Sequence, residues 1–323
     1  MLFIDKQRHL PKTIEVYKRL LHRLPKKDPI NLVIENKIKA AEAGYTGECY
    51  VDNFLKKVDF PKHHALLKDL HIQINQNNFL QIDTLIVTKK FIAILEIKNI
   101  RGKTSFQKHP DQLIREVDGE TTAFKCPKQQ IKRHAKSLQI LLQTLKIDIP
   151  IKSIIVLAYS KTHVVLPPKY TEIVMGCDIS EHIDSYNQLP DVISTVKFHQ
   201  LLNILVSKST EFVPKPLAQI YPFDLSQIKT GLICPNCHVK INNHKNCPSC
   251  KTTKNLMQKQ AIEDWFYLYK DTISNRECVY FLELKDKFAA NYLLKKMDLH
   301  AINQHKSRHY VLHKANIMAE TSK

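Results

Sequence analysis

The 323-residue sequence predicts a mixed α/β domain, then a small cysteine-rich module, then a small, mainly helical C-terminal segment. Three observations predict it. Strand-like runs, "ALLKDLHI", "FLQIDTLIV" and "FIAILEI", are flanked by segments with helical spacing. A continuous apolar run, "KSIIVLAYS", has the pattern of a strand buried on both faces. Finally, Cys234, Cys237, Cys247 and Cys250 are clustered as C-x₂-C-x₉-C-x₂-C.

Taken in order, the first 30 residues form a basic, partly helical lead-in that ends at "LPKKDP". Over residues 31–58, Ile34, Ile38 and Ala41, then Val51, Phe54, Leu55 and Val58, recur at helical spacing. Gly44 and Gly47 interrupt that pattern and mark a bend or a close backbone approach. Strands follow at 65–72, 79–87 and 91–97, with "NQNN" and "TKK" as turns. Residues 99–125 read as a polar loop. "PKQQIKRHAKSLQILLQTL" opens with a proline suited to a helix N-terminus and carries a stripe through Ile131, Leu138, Leu141 and Leu145. After the buried strand, an amphipathic helix is expected at about residues 191–207, and "EFVPKPLAQIYPFDLS", with three prolines, reads as a linker. The expected division is therefore a lead-in at 1–34, an α/β domain at 35–207, a linker at 208–230, the cysteine module at 231–255 and a basic C-terminal module at 256–323.

Hydrophobic content of 43% and charged content of 25% are ordinary for a globular protein, so the formal net charge of +18 stands out. Residues 229–323 hold 16 Lys+Arg against 8 Asp+Glu, and residues 1–228 hold 33 against 23. Excess in both parts suits nucleic acid gripped by the whole molecule. A lysine-rich solubilising surface gives the same count, so charge alone does not decide. The N-terminal residues lack the apolar run of about 7 to 15 residues of a signal peptide. No uncharged apolar run approaches the roughly 18 residues of a membrane helix. The expectation is a soluble, cytoplasmic protein with no membrane partner and no disulfides among its eight cysteines.

The stretch "QIDTLIVTKKFIAILEIKN" sets Asp83, Glu96 and Lys98 inside two apolar strands. A turn centred on Lys89 and Lys90 brings Asp83 directly across from Glu96, with Lys98 on Glu96's face. Facing carboxylates repel, and burial worsens the conflict unless a cation resolves it. A divalent ion such as Mg²⁺ or Mn²⁺ does so, because carboxylate oxygens suit it and it shares its shell with phosphate oxygens. Lys98 could orient a water or stabilise charge building on a phosphate. The other reading is an edge hairpin with the three charges in solvent. Ile92 and Ile94 on the Glu96 face, and Leu85 and Val87 on the Asp83 face by simple alternation, make that exposure awkward.

D-x₁₂-E-x-K on a hairpin resembles the core of the PD-(D/E)XK nuclease superfamily. More specifically, "GYTGE" at 44–48, "QIDTLIV" at 81–87, "EIKN" at 96–99 and "CPKQQIKRH" at 126–134 together resemble the nuclease-related domain (NERD) family over about residues 35–160. The resemblance implies a restriction-endonuclease-like fold and metal-dependent phosphodiester hydrolysis. It matches Gly44 and Gly47 to the family's glycine-containing helix motif and Glu48 to the acidic residue that follows. It matches Asp83 to the strand aspartate, Glu96 and Lys98 to the ExK pair, and Gln130 to a glutamine at a helix start. It implies that Asp83, Glu96 and Glu48 hold Mg²⁺ or Mn²⁺, and that Gln130 orients substrate or water. The family's loop motif begins Asn-Pro, whereas Cys126 stands here, which bears on loop geometry more than on the chemistry. His134, one turn from Gln130, can face the same site, although a lone histidine on a basic helix more often lies at the surface.

Paired C-x₂-C motifs let four thiolates turn inward on one Zn²⁺ and close its coordination, which makes a structural zinc ribbon of Cys234, Cys237, Cys247 and Cys250. His238 and His244 are spare candidates that the site does not need. The ribbon either contacts nucleic acid or braces a segment too small to fold alone. Beyond it, helical patterns and a basic "RHYVL" strand resemble a helix-turn-helix or winged-helix module. Lys285, Lys287, Lys295, Lys296, Lys306 and Arg308 are then candidate phosphate contacts, which position without specifying sequence. A small packing or oligomerisation domain is the alternative, and Trp265, Phe266, Tyr267 and Tyr269 suit a core better than a stacking platform. The leading expectation is a metal-dependent nuclease acting on nucleic acid, DNA first. The rivals are a catalytically silent nucleic-acid-binding adaptor with the same fold, and a zinc-ribbon regulator whose N-terminal domain binds a protein.

Overall fold

A computed structural model of the chain describes residues 4–5, 7–75, 78–210, 212–242, 245–303 and 308–312. In chain order it has β1 (Ile4–Asp5), α1 (Lys12–Arg23), α2 (Ile30–Leu55), β2 (His64–Asn75), β3 (Asn78–Thr88), β4 (Ile92–Lys98), β5 (Gly102–Gln107), β6 (Gln112–Val117) and β7 (Glu120–Lys125). There follow α3 (Pro127–Thr144), β8 (Ile151–Leu157), β9 (Thr162–Leu166), β10 (Glu172–Met175), α4 (Ile179–Asn187) and α5 (Thr195–Ser207). The remainder holds β11 (Leu232–Ile233), β12 (Lys240–Ile241), α6 (Lys254–Leu268), β13 (Ile273–Ser274), α7 (Asn275–Leu282), α8 (Lys287–Lys296), β14 (Leu299–Ile302) and β15 (His309–Leu312). The chain divides into two compact units, one drawn from Met1–Leu10 and Glu42–Glu211, the other from Pro11–Ala41 and Phe212–Ala315.

The first unit is mixed α/β, as the sequence predicts. Its main sheet has the order β1-β2-β3-β4-β8-β10. The β2–β3 and β3–β4 pairs are antiparallel, while β4–β8 and β8–β10 are parallel. Alternation along β4 explains the helices on both faces. Ile92 and Ile94 pack with Ile131, Leu138 and Leu142 of α3 and Phe198 and Leu201 of α5. Ala93, Leu95 and Ile97 pack with Val51 and Leu55 of α2 and Ile179 and Ile183 of α4. Burying such aliphatic side chains stabilises the sandwich by about 1.5–3 kcal/mol each. The register of the β3–β4 ladder, Val87↔Ile92 to Thr84↔Leu95, is the one that a turn at Lys89 and Lys90 gives.

Of the two meanings expected for Gly44 and Gly47, the bend is not found, because helix α2 runs unbroken through both. The close approach holds at Gly47, where a Cβ would meet Asn99 Cβ at 2.7 Å and Ala158 Cβ at 3.2 Å, and not at Gly44, where it would meet nothing within 4 Å among the described residues. One expectation is corrected. Residues 99–125 are not a loop. They form the meander β5–β6–β7, completed by β9 in the order β7-β6-β5-β9. Its strands are short and mostly polar, with Phe106 and Leu113 turned to a small core that includes Cys126, Ile155 and Leu157. The readable signal was Asp118-Gly119, which has φ of 52° and 82° and joins β6 to β7 as a two-residue hairpin turn.

In the second unit, Ile14, Leu20 and Leu24 share a core with Ile34, Ile38, Met257, Ala261, Ile262 and Trp265. The stretch expected as a linker adds Leu217 and Ile228 to it. Arg23, 1% exposed, pairs with the equally buried Asp264 at 2.7 Å and donates to the Lys229 carbonyl at 2.7 Å. Trp265, Phe266, Tyr267 and Leu268 are all buried, so the C-terminal end of α6 is enclosed all round, as residues suited to a core require. Beyond it, β13, which precedes α7 and α8, and β14 and β15, which follow them, form a three-stranded antiparallel sheet in the order β13-β15-β14.

Candidate active site

The simple alternation expected at Asp83 fails, for a local reason. Leu67 and Leu85 face one core, and so do Leu70 and Ile82, so both strands change phase between these pairs. Asp69 sits at the change with φ of 48°, a left-handed conformation that a short polar residue tolerates. There the β3–β4 ladder stops at Thr84↔Leu95, and the next donor, the Ile97 N–H, bonds Asp83 Oδ2 at 2.8 Å instead of backbone. Asp83 is thereby pinned against β4 while only half-buried.

Glu96 has 1% side-chain exposure and points to the α3 face. Lys98 Nζ lies 2.5 Å from its Oε1. Its Oε2 is sealed from solvent and has no hydrogen-bond partner among the described residues. Glu48 comes from α2, which Gly47 lets approach the ends of β4 and β8, and which Asn99 tethers by donating to the Ala43 carbonyl at 2.7 Å. Gln130 is half-buried on α3. One turn on, His134 Nδ1 lies 3.8 Å from Glu96 Oε2. Cys126, at the helix start, makes no side-chain cap and is buried among Phe106, Leu113 and Leu157, which accounts for an apolar residue there.

Arg8 is the residue that the sequence did not single out. Its guanidinium, 2% exposed, donates to Glu48 Oε2 at 2.9 Å, Asp52 Oδ2 at 3.1 Å and Asp69 Oδ1 at 2.5 Å. It also reaches the Asp83 carbonyl at 3.1 Å and Thr84 Oγ1 at 2.9 Å. No local pattern in "KQRHLPK" marks an arginine whose partners lie 40 to 76 residues away.

The electrostatics follow from crowding. Burial and the charge of Asp83 push the Glu48 carboxyl up to about 8 despite Arg8. Burial and Asp83 push Glu96 up to about 7 despite Lys98. Burial raises Asp83 as well. Burial alone would lower the Lys98 ammonium, but Glu96 and Asp83 hold it above its ordinary value. Burial, with Arg133 and Lys98 nearby, pushes the His134 imidazole down to about 4. Buried, crowded carboxylates that resist ionisation, with one unsatisfied buried oxygen among them, are in a conflict that a divalent cation would relieve. Glu48, Asp83 and Glu96 do not bring their oxygens within 4.8 Å of one another as the cysteines do their sulfurs, and Glu48 and Glu96 are each paired with a protein cation, Arg8 and Lys98.

Residues 43–158 match the model of NERD, the nuclease-related domain. No curated protein and no solved structure matches the chain. The NERD match spans Glu48, Asp83, Glu96, Lys98 and Gln130, with His134 beside them, and leaves Arg8 outside it.

The cysteines form a second candidate centre. Cys234, Cys237, Cys247 and Cys250 bring their sulfurs within 4.8 Å of one another, and among the described residues no other group does so. The Cys234–Cys250 and Cys237–Cys247 sulfur distances are 3.4 and 4.0 Å. Four ligands about 2.3 Å from one tetrahedral Zn²⁺ stand about 3.8 Å apart, so the set fits. The two knuckles repeat one geometry: the residue after each, His238 or Lys251, has φ near 60°, and its N–H returns to the carbonyl of Cys234 or Cys247. His244 lies outside the described residues.

Of the expected phosphate contacts, Lys285, Lys287, Lys295 and Lys296 are exposed on or beside α8, and Arg308 is half-buried before β15. Lys306 lies outside the described residues. Phe288 and Tyr292 of α8 are also exposed, at 72% and 65%, with Lys287 and Lys296 over their rings. No helix among the described residues is long and apolar enough to cross a membrane.

Proposed function

We propose that the NERD segment is the catalytic core of a metal-dependent nuclease that hydrolyses phosphodiester bonds, with DNA as the first substrate to test. The observation that carries this is Asp83, Glu96 and Lys98 at the end of one hairpin inside the nuclease-related match, with Glu96 Oε2 buried and unsatisfied. Asp83 and Glu96, with Glu48 from α2, would hold a Mg²⁺ or Mn²⁺ ion, which would supply Lewis-acid stabilisation of the phosphate and make water more acidic. Lys98, kept charged by its carboxylate neighbours, places a fixed cation where negative charge builds on the phosphate oxygens. Gln130 orients substrate or water from α3. Arg8 fixes the Glu48 carboxylate and, through the Asp83 carbonyl, the strand that presents Asp83. Water attacks phosphorus in line, and the leaving oxygen departs opposite it.

In this reading Zn²⁺ on the four cysteines is structural. The order α6, β13, α7, α8, β14, β15 supports a winged-helix-like grip in which Lys285, Lys287, Lys295, Lys296, Lys306 and Arg308 meet phosphates. Binding should then weaken steeply as salt rises. Incubation with supercoiled, linear and single-stranded DNA and with RNA, in Mg²⁺, Mn²⁺ or EDTA, tests the proposal: ion-dependent products support it, and no product in any arm refutes it. One observation favours a second reading, a nucleic-acid-binding adaptor without turnover. Glu48 and Glu96 each already have a protein cation, Arg8 and Lys98.

A further inference from the structure

One polar side chain at the site, His134, has no use in the mechanism above, and it faces a carboxylate oxygen that does. Glu96 gives Oε1 to Lys98, but its Oε2 is shut off from solvent without a hydrogen-bond partner. Facing it at 3.8 Å is Nδ1 of His134, also enclosed and, like it, without a hydrogen bond among the described residues. A buried polar atom left unsatisfied costs about 1–3 kcal/mol, so two such atoms turned toward each other call for a third body between them. A direct hydrogen bond does not serve, because 3.8 Å is well beyond the roughly 3.2 Å limit for N–H···O. A shared ion does serve. Two atoms each about 2.1 Å from one cation stand no more than about 4.2 Å apart. The placement of His134 is fixed by the fold: α3 packs Ile131 and Leu138 into the core on the Glu96 side of the sheet, and the ring stands between them in sequence, 13% exposed.

We propose that His134 Nδ1 is a ligand of the same metal ion as Glu96 Oε2. The inference rests on the nuclease reading for the existence of that ion and adds its chemical class. Carboxylates and water alone suit Mg²⁺, whereas an imidazole donor favours first-row transition ions. The site therefore takes a first-row transition ion in preference to Mg²⁺, with a donor set of one imidazole and carboxylates, and Mn²⁺ is the member of that class used as the probe.

The test is spectroscopic and needs no turnover. Mn²⁺ alone is titrated into the full-length protein, and the bound ion is read by electron spin echo modulation. The expected result is ¹⁴N modulation from a directly bound imidazole, absent in Asp83→Ala, where the ion itself is lost. His134→Ala and His134→Gln should lose the modulation and bind Mn²⁺ about ten-fold or more weakly, with a smaller loss for Mg²⁺. Mn²⁺ bound at an Asp83-dependent site with no ¹⁴N modulation overturns the ligand assignment and leaves the carboxylate site standing. No Asp83-dependent Mn²⁺ binding overturns both. The wild-type spectrum decides the matter even if the His134 variants do not fold.

Discussion

The Arg8 guanidinium donates to Glu48 Oε2 at 2.9 Å and, with the same nitrogen, to Asp69 Oδ1 at 2.5 Å. One arginine thus ties the helix that carries Glu48 to the irregular point of the β2–β3 hairpin. Its side chain is 2% exposed, so Arg8→Ala removes a buried cation shared by Glu48, Asp52 and Asp69. The expected loss is about 3 kcal/mol in the denaturant unfolding of the first unit. Arg8→Lys, which keeps the charge but not the planar fork, recovers only part of it.

The two glycines of "GYTGE" should behave oppositely. At Gly47 a methyl group would sit 2.7 Å from Asn99 Cβ and 3.2 Å from Ala158 Cβ, both fixed at the ends of strands. Gly47→Ala is expected to destabilise by about 1–3 kcal/mol and to displace Glu48 beside it. At Gly44 the methyl meets nothing within 4 Å, and Gly44→Ala in a helix should stabilise by about 0.5–1 kcal/mol. Paired thermal melts check the contrast.

The raised carboxyls give the first unit a pH-dependent stability. Glu48 near 8 and Glu96 near 7 lie above the ordinary carboxyl value of about 4.3. A group raised on folding stabilises the protein fully below its unfolded value, and that contribution is lost as pH rises through its folded value. In EDTA, stability should therefore fall between about pH 4.5 and pH 8. A divalent ion needs the ionised form, so Mn²⁺ should restore stability mainly at the upper end. Melting curves in EDTA and in Mn²⁺ across this range should diverge as pH rises, and Mn²⁺ affinity should drop at least roughly ten-fold from pH 8 to pH 6.

The cysteine centre should be independent of this chemistry. Cys234→Ser removes one of four converging sulfurs, so bound zinc should fall from about one per chain toward none and the second unit should melt earlier. Metal analysis with thermal unfolding checks it. Full zinc content in Cys234→Ser would count against the four-sulfur site.

How much of this was legible in the sequence depended on whether the signal was local. The β3–β4 register followed from a turn at Lys89 and Lys90, and the burial of Ile92 and Ile94 followed from alternation. The cysteine spacing needed only a count. What escaped were relationships set by distant packing. Arg8 pairs with residues 40 to 76 positions away. The phase change at Asp69 and Asp83 depends on a left-handed φ that no residue type dictates there. The β5–β6–β7 meander was missed because its strands bury so little, although Asp118-Gly119 was a turn signal. His134 could be placed beside Gln130 by helical spacing, but its enclosure against Glu96 required the sheet.

The central claim is that Asp83 and Glu96 hold an ion that cuts a phosphodiester. Cleavage of plasmid, linear and single-stranded DNA and of RNA by the wild type, Asp83→Ala and Glu96→Ala, with Mn²⁺, Mg²⁺ or EDTA, tests it most directly. The account predicts ion-dependent cleavage by the wild type, silenced by EDTA and reduced by about 100-fold or more in each variant. Variants that cleave as fast as the wild type, or a wild type that cleaves none of these substrates with either ion, would contradict it.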